Sequence, residues 1–130
     1  MAVNREELVS DSEAAFRRPI ELITENGFSI VRTWEINGVD APATGPYAFV
    51  VRDPHGYELE ITVRLSPDVI AQVAMRSEGR VLNDSPYWII CAESHLATYL
   101  WDNDDYPPEA ILEVSQSSPD DLDLARRWKG

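Results

Sequence analysis

Cys91 and His95 stand four residues apart in SPYWIICAESHLATYLWDNDDYPP (residues 85–108), a segment that also carries two Trp, three Tyr and Glu93. On a helix this spacing brings a thiol and an imidazole onto one face, and a thiolate–imidazole pair is a recognised nucleophile arrangement. Cys91 lies beyond the first turn, however, where a helix terminus lowers a thiol pKa most. A free Cys in such apolar company also serves as a small core filler. The pair offers two ligands where zinc takes three or four, and no CxxC or HxxxH spacing completes a set. Glu93, the third catalytic candidate, falls between Ala97 and Leu100 on the helical wheel. If buried there, its carboxylate needs a cation, and Arg32 or Arg64 from the preceding strands would supply one. The structural reading of Cys91, His95 and Glu93 therefore leads, and no cofactor is expected.

These side chains need a helix to position them. Trp88, Ile89, Ala92, Leu96, Tyr99 and Leu100 make one broad apolar side over residues 85–101, with Ile90, Ala97 and Trp101 widening it. A helix apolar over most of its circumference belongs at the centre of its domain. The stretch YWIICA (residues 87–92) also fits the start of a strand.

Ahead of it, residues 11–26 read as a helix broken at Pro19 and capped by Gly27. Three antiparallel strands are expected at about 28–37, 46–53 and 57–65. In the first, Phe28, Ile30, Trp34 and Ile36 recur at period two and Arg32 interrupts their side. The other two flank DPHG, where Pro54 presets a turn and Gly56 supplies positive φ. Tyr57, Leu59, Ile61, Val63 and Leu65 are expected to share one face. Helices follow at about 66–80, 85–101 and 118–128. Each opens with Ser-Pro, and the last carries a Ser118–Asp121 capping box. A short strand is expected near 110–115. This order makes a single α+β domain spanning residues 1–130.

Two motifs bear on metals. DNDDYPPEAILE sets Asp102, Asp104 and Glu113 at calcium-loop positions, but Tyr106 replaces an oxygen ligand and Pro107 the obligatory glycine, so the loop cannot make the turn. AFVVRDPHGYELEI resembles the end of a half-module of the vicinal-oxygen-chelate, or glyoxalase-like, family. Asp53, Pro54 and Gly56 match its turn, and Glu60 stands where that family's metal-binding Glu would be. The resemblance covers about residues 11–65 and implies a metal at Glu60. It departs in lacking a leading strand, a second half-module and a histidine placed to share the metal. A DPxG turn also suits any hairpin.

Net charge is −12, and no Lys or Arg lies between Val81 and Ala125, where ten carboxylates fall. Such a surface disfavours nucleic acid and anionic membranes as partners. The single Cys allows no internal disulfide and fits a reducing, cytoplasmic setting. The leading expectation is a non-enzymatic binding module that docks a basic protein through Trp101, Asp102, Asp104, Asp105 and Tyr106. The alternatives are a small enzyme using Glu60 with a metal, or Cys91 with His95, and a homo-oligomeric structural protein.

Overall fold

The computed structural model describes residues 21–32 and 43–129. Its elements run β1 (Glu21–Ile23), β2 (Ser29–Arg32), β3 (Tyr47–Arg52), β4 (Glu58–Leu65), α1 (Pro67–Arg76), α2 (Tyr87–Asn103), β5 (Ile111–Val114) and α3 (Pro119–Arg127). A 3-10 turn over Pro108–Ala110 leads into β5. The architecture is α+β, a single domain built on a five-stranded mixed sheet.

The sheet runs in sequence order, β1-β2-β3-β4-β5, with the first three pairings antiparallel and β5 parallel to β4. The expected three-stranded antiparallel sheet is thus corrected at both edges. At the β5 edge the strand itself was foreseen, but a parallel partner needs a long crossover, here supplied by α1 and α2, and no local signal names it. At the β1 edge the expectation was a helix over residues 11–26, of which 11–20 lie outside the described residues. Residues 21–27 instead make a strand and a tight turn. Gly27 has φ 96°, and its N–H donates to the Thr24 carbonyl at 3.0 Å while Thr24 N–H donates to Phe28 O at 2.8 Å. A helix cap and a hairpin both demand a positive φ from such a glycine, so the residue type could not separate them. A Cβ on Gly27 would lie 3.1 Å from Pro54, because this turn nests against the DPHG turn.

The DPHG hairpin forms as expected. Asp53 Oδ1 accepts the amides of His55 and Tyr57, both at 2.9 Å, and Gly56 has φ 94°. The first expected strand forms over Ser29–Arg32, and 33–37 lie outside the described residues. In β4, Ile61, Val63 and Leu65 are fully packed, but Tyr57 and Leu59 are 72% and 41% exposed.

α1 starts as expected, with the Ser66 hydroxyl accepting from Val69 N–H, but it ends at Arg76, four residues early. Glu78 and Gly79 take positive φ there and turn the chain. Residues 87–92 are helical, not extended. α2 begins at Tyr87 and packs against β3, β4 and β5. Tyr87, Trp88, Ala92, Leu96 and Leu100 fill the core with Phe49, Val51 and Ile61. α3 opens on the capping box foreseen for Ser118 and Asp121 and packs on α1.

Candidate functional site

Arg32 and Glu93 meet inside the molecule. Arg32 Nε donates to Glu93 Oε2 and Nη2 donates to Oε1, each at 2.9 Å, a two-pronged pair with side chains about one-tenth exposed. The arginine that interrupts the apolar side of β2 is therefore the cation that Glu93 requires. Both carboxylate oxygens of Glu93 are thereby taken up by Arg32.

Cys91 and His95 do converge, but on a residue that sequence reasoning read only as a helix cap. Asp121, in the first turn of α3, contacts His95 Nε2 through Oδ2 at 2.5 Å, and the same oxygen accepts the Ser118 amide at 2.8 Å. Sγ of Cys91, a nitrogen of His95 and a carboxylate oxygen of Asp121 all lie within 4.8 Å of one another. Tyr87 tightens this junction by donating its hydroxyl to the Asp121 carbonyl at 2.6 Å. Burial alone would raise the Asp121 pKa, but the hydrogen bonds from His95 and Ser118 outweigh it and hold the carboxyl below its ordinary range. Burial, and then the neighbouring Asp121 carboxylate, push the Cys91 thiol well above its usual pKa. Cys91 is 2% exposed. A neutral, enclosed thiol beside an anion is the reverse of an activated nucleophile.

The acidic aromatic segment lies at the opposite end of α2. Trp101 is 52% exposed, and Asp102, Asp104 and Asp105 are all exposed. Trp101 and Ala97 face Leu22, Ile23 and Thr24 of the β1 hairpin across an open groove, with Glu25 at its rim. Leu22 is 37% and Ile23 65% exposed. Asn26 locks the hairpin to the helix end, since its Nδ2 donates to Leu100 O at 2.9 Å and to Asp104 Oδ1 at 3.2 Å. Asp104 closes α2 in the left-handed region at φ 53°. The last turn of α2 holds no basic residue, so carboxylates sit where the helix dipole favours cations. Among the described residues none of Asp102, Asp104 and Asp105 forms an ion pair, whereas Glu93, Glu113 and Asp123 of the same acidic half do.

Tyr106 is half-buried and turned toward the sheet. Its hydroxyl donates to Tyr57 O at 2.6 Å and its ring meets Phe28 edge-on at 5.9 Å. Burial, and then the Asp53 carboxylate, raise its pKa. Glu60 is exposed on β4 opposite Val50. Among the described residues no metal-ligating cluster includes Glu60. Leu22, Ile23 and Asn26 escaped sequence reasoning because they were assigned to a helix. Asp121 was visible as a cap, but its contact with His95 had no local signal.

Comparison of the chain with protein-family models, curated proteins and solved structures finds no match in any of the three.

Proposed function

We propose that this protein is a small binding module that docks a basic protein segment in the groove between β1 and the C-terminal end of α2. One observation carries the reading: half-exposed Trp101 and the apolar Leu22 and Ile23 adjoin three carboxylates that have no cationic partner among the described residues. An Arg-bearing segment fits this chemistry. Its guanidinium can stack on Trp101 and pair with Asp102 or Asp105, while an apolar neighbour enters between Ala97 and Ile23. Tyr106, packed on Phe28 and bonded to Tyr57 O, is not among the residues that line the groove. A second copy of this chain is a poor occupant, because its net charge of −12 repels its like. No described helix is long and apolar enough to cross a membrane, and one unpaired Cys suits a reducing compartment such as the cytoplasm. The cysteine-enzyme reading has less support, since its nucleophile would be a buried thiol held neutral.

The test is an NMR titration of the full chain with a short peptide alternating Arg and Leu, set beside a Glu–Leu control. Shifts centred on the Trp101 indole, Ile23 and Asp102, weakened by salt and lost in Trp101→Ala, are expected. Shifts scattered over the surface, or equal with both peptides, would overturn the reading.

A further inference from the structure

The junction of α2 with α3 is separate from that groove and has a chemistry of its own. Three different ligand types converge there from two helices. Cys91 and His95 stand one turn apart on α2, and Asp121 reaches them from the first turn of α3. We propose that Cys91 Sγ, His95 Nε2 and an Asp121 carboxylate oxygen form a binding site for one zinc ion or a similar divalent transition metal.

The donor set carries the choice of metal. Sulfur, imidazole and carboxylate together suit a borderline-soft cation and exclude calcium and magnesium, which take oxygen. Three protein ligands leave a fourth tetrahedral position for water, and His95, with its side chain 19% exposed, gives that position its route to solvent. Zinc bond lengths of about 2.0–2.3 Å place tetrahedral ligands roughly 3.3–3.8 Å apart. The present spacing brackets this value: the 2.5 Å His95–Asp121 contact must open, while the widest separation of up to 4.8 Å must close. On binding, the Cys91 thiol gives its proton to water, and the Nε2 proton that His95 donates to Asp121 is also lost to solvent, so that the imidazole binds neutral through Nε2 with its one proton on Nδ1. Thiolate and carboxylate then cancel the charge of the ion. They also offset the positive end of α3, which opposes a cation at this place. Local spacing brings together only Cys91 and His95; the third ligand comes from a residue 26 positions beyond His95.

Cobalt is the probe. The purified full chain, freed of metal, is titrated with cobalt(II) and followed by absorption. A thiolate-to-cobalt charge-transfer band with tetrahedral d–d bands, saturating at one ion per chain and erased by zinc, is the expected result. Cys91→Ser should remove the charge-transfer band, and His95→Gln should weaken binding roughly tenfold or more. Absence of the band from the wild-type chain overturns the proposal whether or not the variants fold. So does a band that survives in a folded Cys91→Ser variant, or binding indifferent to His95→Gln.

Discussion

Arg32 and Glu93 illustrate the asymmetry of buried charge. Each is tolerated only because the other is present, and the pair as a whole need add little stability. Arg32→Ala strands a buried carboxylate and is expected to cost about 3–5 kcal/mol. The double change Arg32→Met with Glu93→Leu should recover most of that loss, as read from urea denaturation midpoints. A double variant as unstable as the single one would mean that the pair does more than neutralise itself. Asp121 gives a pH signature. Its pKa is depressed in the folded chain, so its contribution is present above the unfolded value of about 3.9 and disappears as pH falls through the lower, folded value. Unfolding followed between neutral pH and the acid limb should show a loss of stability beginning near pH 4, and Asp121→Asn should flatten that limb. An acid limb that this substitution leaves unchanged would remove Asp121 from the account.

At the scale of elements, α2 serves two ends differently. Its first half is packed by Trp88, Ala92 and Leu96, all essentially inaccessible, while its C-terminal end carries Asp102 and Asp104, without an ion pair among the described residues, beside an exposed Trp101. A helix selected for stability alone would place Lys or Arg there. Asp102→Lys is accordingly expected to stabilise the fold by about 0.3–1 kcal/mol, measured by thermal unfolding at low salt, and to weaken capture of the Arg–Leu peptide. A variant that loses stability would show that Asp102 is structural. The hairpin of β1 and β2 is the other half of the groove. Its position depends on Asn26, whose amide spans to Leu100 O and Asp104, so the acidic turn and the apolar edge strand are held as one unit. Read from sequence, α1, α3 and the β3–β4 hairpin are close to what forms, because Ser-Pro starts, the capping box and DPHG are local signals. The β1 hairpin was missed for the converse reason: ELI followed by TENG satisfies a helix end and a hairpin turn equally.

On the scale of the whole molecule, charge is distributed by element. Glu93, Glu113 and Asp123 are answered by Arg32, Arg64 and the pair Arg126 and Arg127. Among the described residues Asp102, Asp104 and Asp105, at the groove end, have no such partner. Light scattering at low ionic strength is expected to report a monomer, since like charge opposes self-association. A stable dimer that persists with Trp101→Ala would point to another self-burying face, and one abolished by it would make a second copy the occupant of the groove. The sequence by itself determined the α+β class, the core character of α2, most helix starts and the acidity of the second half, because periodicity, caps and composition are properties of neighbours along the chain. Tertiary structure alone decided that Arg32 pairs with Glu93, that Asp121 joins Cys91 and His95, that β5 runs parallel to β4, and that Leu22 and Ile23 face Trp101. Each of those contacts joins residues tens of positions apart, and only the packing of the core brings them within bonding distance.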